Sequence, residues 1–228
     1  MKLLTLGNTK TVKGEAMGFQ TYIMHLAPST LSGYNTCPMA SEGCASACLN
    51  TAGRGRFTAI QEARIRKTRW FFEDRETFMA QLVKDIEAAI RKAKREGFTP
   101  VFRLNGTSDI RWENYQVVRD GIAYANIMNA FPQVQFYDYT KLPNRHSISA
   151  NYHLTFSRSE SNEHLIPQGM NVAVVFDSLP DVWMGRKVID GTETDLRFLD
   201  EQNVVVGLLA KGKAKKDTSG FTILRRAA

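Results

Sequence analysis

A chain of 228 residues, 43% hydrophobic and 23% charged, is long enough to bury its own core and too evenly mixed to be disordered or fibrous. No apolar run approaches the roughly 20 residues a membrane helix needs, and the N-terminus does not read as a secretory signal, so the expectation is one domain over residues 1–228 in a reducing, cytoplasmic compartment with no membrane partner. Thirty Lys and Arg against 23 Asp and Glu leave a charge of +7, which favours anionic partners such as nucleic acid without requiring one.

Along the chain, the aromatic and β-branched run at 18–28 predicts a strand that ends in a loop at Pro28. That loop, 35–56, holds every cysteine of the protein: Cys37, Cys44 and Cys48. From about Arg56 the pattern turns helical. A second helix begins after Asp74, a good N-cap, with Phe78, Leu82, Ile86, Ile90 and Ala93 at spacings of three or four and Gly97 as its terminator. Strands are predicted at 100–106, 134–140, 152–159, 171–177 and 203–210, and a helix at 113–131 that stops before Pro132. Strands alternating with helices point to an α/β fold with a mainly parallel sheet. Because the later connections are too short for full helices, the expectation is a partial, incomplete TIM-like barrel. The basic run at 211–216 reads as an exposed loop.

Three thiols on one turn-rich loop suit a shared inorganic centre, whereas cysteines used for packing would be scattered through the core. An odd number in a reducing compartment argues against disulfides. Zinc needs a fourth ligand, such as His25 or His153, and the usual second ligand pair is missing; His146, His153 and His164 show no metal-ligand spacing. A [4Fe–4S] cluster can be held by three cysteines with one iron left open for a small-molecule ligand or substrate. The small residues Ser41, Gly43, Ala45, Ser46 and Ala47 leave room for it, and the cluster is the favoured reading. Gly53 and Gly55 offer a weaker possibility of an anion nest.

A cysteine-triplet loop just after the first strand of an α/β array resembles the radical S-adenosylmethionine (SAM) enzymes, in which SAM takes the open iron; the spacing here is wider than theirs. The segments CPMASEGCASACLNTAGRGR, FRLNGTSDIRWE, FYDYTK, LTFSRSE and VVVGLLAKGKAKKDTSGF are similar, over nearly the whole chain, to the bacteriophage gene product 88 family. That resemblance implies a viral protein, working in the cytoplasm of an infected bacterium and carrying a cluster, without specifying a reaction.

Ligands of parallel α/β folds gather where strands end, so the polar strand exits are the candidate cofactor-binding positions. These are Asn105, Gly106 and Thr107 after one strand, Asp138 and Tyr139 in the next, then Ser157 and Ser159, and finally Lys211. Lys141 could neutralise an anion, and Asp177 fits a turn cap as well as a site. By analogy with radical SAM enzymes, the 105–107 exit would receive the methionyl amino group of SAM. The competing reading is a non-catalytic cluster or zinc protein that binds nucleic acid through a basic row of Arg54, Arg56, Arg64, Arg66, Lys67 and Arg69, with Trp70 and Phe71 beside it.

Overall fold

A computed structural model describes residues 1–7, 12–145 and 149–224. Its spine is a sheet of ten strands: β1 (Leu4–Leu6), β2 (Phe19–Met24), β3 (Thr99–Arg103), β6 (Gln135–Thr140), β7 (Tyr152–Ser157), β8 (Val172–Phe176), β9 (Val182–Trp183), β10 (Arg186–Asp190), β11 (Val205–Leu209) and β12 (Thr222–Ile223). The missing numbers belong to a separate hairpin, β4 (Val117–Arg119) and β5 (Ile122–Tyr124). Four α-helices lie wholly within the described residues: α1 (Glu42–Ser46), α2 (Thr58–Glu73), α3 (Arg75–Glu96) and α4 (Ile127–Ala130).

The strands lie in the order β1-β2-β3-β6-β7-β8-β11-β10-β9, and β12 adds to β8. Every pairing from β2 through to β10 is parallel, as is that of β12 with β8; only the outermost strands, β1 on β2 and β9 on β10, run antiparallel. The sheet is therefore mainly parallel, as expected, but its two ends do not meet. The path stops at β1 and β9, so among the described residues no closed barrel is found. β7 pairs with β8 only through Phe156 and Ser157; farther along, β12 takes its place beside Val175 and Phe176.

The predicted helix at 113–131 is not formed. In its place stand a 3-10 turn at Trp112–Asn114, the β4–β5 hairpin and the single turn of α4. The cause lies in Asp120 and Gly121, which both have positive φ (51° and 77°) and form the two-residue link between paired Arg119 and Ile122. A turn with two left-handed residues matches the twist of a hairpin and breaks any helix that runs into it. Asn126 then starts α4, its side chain accepting from the Asn129 N–H at 2.9 Å.

α3 behaves as its periodicity predicts. Asp74 accepts from the Thr77 N–H, and Gly97 closes the helix at φ 79°. Phe78, Leu82, Ile86, Ala89 and Ala93 are buried in one core with Tyr22, Met24, Phe102, Leu104, Phe136 and Leu154 of the sheet. Ile90 packs at the edge of that core, partly buried. The opposite sheet face is covered over Val101 and Tyr137 by Leu196 and Phe198, from the segment that follows β10. Among the described residues no helix is long and apolar enough to cross a membrane.

Phe71 of α2 ties these parts together. It is fully buried and meets Phe78, Trp112 and Tyr115 edge-on, with ring centroids 5.2 to 5.3 Å apart. Phe71→Ala is expected to cost about 3–5 kcal/mol of folding stability through the cavity it leaves. Urea denaturation followed by tryptophan fluorescence measures this, and a loss below about 1 kcal/mol would mean that the cluster repacks around the gap.

Candidate functional site

Because β2, β3, β6, β7, β8 and β11 run in one direction, their carboxyl ends open at one edge of the sheet. A cavity of about 350 Å³ lies there, within the range of small-molecule sites. Cys37, Cys44 and Cys48 face it from the loop after β2. Asn105, Gly106 and Thr107 face it after β3, Tyr139 and Lys141 at the end of β6, Ser157 at the end of β7, and Lys211 after β11.

The cysteine loop is held by its own polar groups. The Thr36 hydroxyl donates to the Ala27 carbonyl at 2.6 Å, and the Thr36 carbonyl accepts from the Asp109 N–H at 2.8 Å, which joins the loop to the exit of β3. Cys37 Sγ lies 3.8 Å from the Thr107 carbonyl oxygen, and its own N–H donates to Asn35 Oδ1. Ser41 caps α1 by accepting from the Cys44 N–H at 3.1 Å. Cys48 Sγ accepts from the Asn50 N–H at 3.5 Å. Gly43 allows α1 to sit tightly here, since a Cβ would fall 2.2 Å from Ser219 Oγ and 2.8 Å from Glu160 Oε1.

All three thiols are free and partly buried. Burial pushes the Cys37 thiol up, against hydrogen bonds from Ser29 and Thr36, and the Cys44 thiol up, against the attraction of Lys141. Repulsion from Cys48 adds to both, and Cys44 also feels Cys37, so the three sulfurs lie within electrostatic reach of one another. The Lys141 ammonium donates to Ser157 Oγ at 2.9 Å and lies over the Phe221 ring. Burial pulls its pKa down while Cys44, Asp109, Glu160 and Cys37 hold it up.

Among the described residues no three His, Cys, Asp or Glu side chains are grouped to hold a metal ion. The histidines do not complete such a set. His25 is held down to about 3 by burial and by the cations Arg64, Arg103 and Lys67, His153 contacts Thr155 Oγ1 within β7, and neither lines the cavity. His164 sits in the 3-10 turn Glu163–Leu165, and His146 lies outside the described residues.

Two of the candidate binding residues are turned away from the cavity. Asp138 alternates with Tyr139 and points to the helix-covered face, fully buried, where it accepts from the Asn105 N–H at 2.8 Å and the Tyr152 hydroxyl at 2.9 Å. Ser159 is equally buried and bonds to Asn162 and Ser161. Both shape the site from behind. Asp177 caps its own turn through the Ser178 N–H. Lys211 stands exposed at the rim, and the basic run that follows forms a 3-10 turn with Lys213, Lys215 and Lys216 exposed.

Two charged residues on the cavity wall carry no motif. Arg103 donates to Asp195 Oδ2 at 3.1 Å and lies over the Tyr139 ring. An arginine inside the otherwise apolar strand PVFRL is a signal for a polar lining on the alternate face; Asp195 comes from an irregular segment with no pattern to reveal it. Half of the basic row is bonded within the protein: Lys67 Nζ donates to the Leu3 carbonyl, Arg69 to the Ser32 carbonyl and Arg64 to the Asn50 side chain. Phe71 is core. Of that row, Arg54, Arg56, Arg66 and Arg69 are exposed, with Arg66 near Glu62.

Fold and site together define an open, mainly parallel α/β protein with a three-thiol cavity at the carboxyl edge of its sheet. The family described as gene product 88 matches residues 2–225, and the chain belongs to it. No curated protein and no solved structure matches the chain.

Burial pushes the Asp138 carboxyl up to about 7, against the pull of Arg103 and Arg145. An unfolded chain releases this proton near 3.8, so between that value and about 7 the folded state binds the extra proton, and the stability this group contributes falls as pH rises through the window. Asp138→Asn is expected to flatten that fall. Denaturation midpoints between about pH 4 and about pH 7 test this, and a slope equal to that of the unsubstituted protein would show that Asp138 stays ionised.

Proposed function

We propose that Cys37, Cys44 and Cys48 hold a [4Fe–4S] cluster that leaves one iron open to the cavity, and that the protein is a cluster-dependent enzyme of radical-SAM-like type with SAM as its candidate ligand. One observation carries the reading: three thiols, with no fourth cysteine in the chain, face a single cavity at the edge where parallel strands end. The donor set suits the group, because a cluster accepts three thiolates and spreads them over separate corners, which a single ion does not. When bound, such a cluster supplies one-electron transfer to whatever occupies its open iron.

The chain's own residues provide the surroundings. Lys141 and Arg103 place positive charge on the cavity wall, and Asp109 and Asp195 place negative charge there, so a ligand with groups of both signs is matched. Thr107 is fixed by its hydroxyl bond to the Leu26 carbonyl. Gly106 keeps β3 close to the exit of β2, since a Cβ there would come within 2.7 Å of Ile23 and of the Met24 carbonyl. Tyr139, Ser157 and Lys211 complete the ligand wall. The competing reading, a non-catalytic or zinc protein with a nucleic-acid face, has less support, because half of the basic row is already bonded and His25 and His153 lie off the cavity.

Protein purified without oxygen and reconstituted with iron and sulfide is expected to be brown, to hold about four irons per chain, and to lose them in Cys37→Ala, Cys44→Ala and Cys48→Ala variants. A colourless protein with one zinc per chain would refute the cluster. Adding SAM to the reduced protein should alter its electron paramagnetic resonance and yield 5′-deoxyadenosine; an unchanged signal removes SAM from the proposal.

A further inference from the structure

The cavity does not account for Arg64, although this residue approaches the thiols from behind. It projects from α2 and donates through Nη1 to Asn50 Oδ1, while the Asn50 N–H in turn points at Cys48 Sγ, 3.5 Å away. Asn50 is itself buried, so this relay runs through protein and not through solvent. The Arg64 Nε atom is buried and has no hydrogen-bond partner among the described residues. Burial pulls the guanidinium's pKa down, and the charge that holds it up is Cys48.

A half-buried arginine is normally paired with a carboxylate, because burying an unpaired charge is costly. Here its bonded partner is the neutral Asn50, whose N–H leads on to the Cys48 sulfur. Neither loop packing nor the cap of α2 calls for that charge, since a neutral side chain could hold Asn50 equally well. A positive charge beside a thiolate has a defined effect on a cluster: it favours the state that carries the extra electron, and so raises the reduction potential.

We infer that Arg64, acting through Asn50, is a positioning residue that supplies the fixed positive charge and orients the hydrogen bond at Cys48, and thereby sets the reduction potential of the centre those cysteines hold. The inference rests on the reading of the three thiols as cluster ligands. Lys141 is the corresponding cation near Cys44, but it lines the cavity and meets the ligand side, whereas Arg64 lies off the cavity wall and reaches Cys48 through Asn50.

The test is a redox titration of the reconstituted protein, followed by electron paramagnetic resonance, with iron and sulfide counted in each sample. Arg64→Gln is expected to load a full cluster whose reduced-to-oxidised ratio, at the midpoint of the unsubstituted protein, falls about tenfold, or ~59 mV for a one-electron couple. Arg64→Lys should restore most of the shift. Asn50→Asp keeps Arg64 anchored while cancelling its charge and should move the midpoint in the same negative direction, which covers the case in which Arg64→Gln does not fold. Fully loaded Arg64→Gln or Asn50→Asp protein with an unchanged midpoint overturns the role of Arg64 and leaves the cluster intact. An unsubstituted protein that takes up no iron and sulfide overturns the cluster reading and this role with it.

Discussion

Asn105 uses its backbone N–H and both polar atoms of its side chain on the turn that leaves β3. Its side-chain oxygen accepts from Ser108, from the Ile110 N–H and from the Trp112 indole, and its amide donates to the Ile110 carbonyl and to Asp138. The turn is thereby tied both to the aromatic core, through Trp112, and to β6, through Asp138. Asp109, at the end of the same turn, accepts from the Lys141 N–H at 2.7 Å and donates its own N–H to the carbonyl just before Cys37. One rigid turn thus sets the distance between the cysteine loop and the opposite cavity wall. Such precision needs buried polar groups that are fully paired, since a partly paired network is a source of disorder.

Behind the turn lies an ionic cluster that serves the same end. Arg145 is fully buried, with two 2.9 Å bonds to Glu113, one to Asp109 and a shorter one to the Tyr152 hydroxyl. Burial pushes the pKa of the Asp109 carboxyl up, and the guanidinium opposes that shift. Buried ion pairs contribute little net stability over apolar packing, so their value here is geometric: the Asp109 carboxylate can occupy only one orientation at the cavity wall. The site is consequently rigid on the β3–β6 side.

The parts of this arrangement that could be read from the amino acids are those with a local pattern. α3 was legible because its apolar residues repeat with helical spacing between a capping aspartate and a terminating glycine, and the long parallel strands were legible as apolar runs bounded by turns. The cysteines and most of the strand exits could be read because chemistry concentrates there. The hairpin at 117–124 was hidden because Val117, Tyr124, Met128 and Phe131 fall at helical spacing, and the decisive Asp120-Gly121 pair is only two residues long. Asp138 shows a different limit: alternation places it beside Tyr139 in sequence but on the other face of the sheet, and only the position of the helices decides which face is covered. Arg64 and Asp195 act through tertiary contacts that leave no trace in local spacing.

The exchange of neighbours along β8, from β7 to β12, has a consequence for how the protein matures. Lys211, Ala214 and Phe221, which form one wall of the cavity, come after all its other residues in chain order. During synthesis the earlier strands and the cysteine loop can assemble while that wall is still absent. Over that interval the cysteine loop and the strand ends stay open to solvent, and pairing of β12 with Val175 and Phe176 of β8 then brings Phe221 onto the cavity wall.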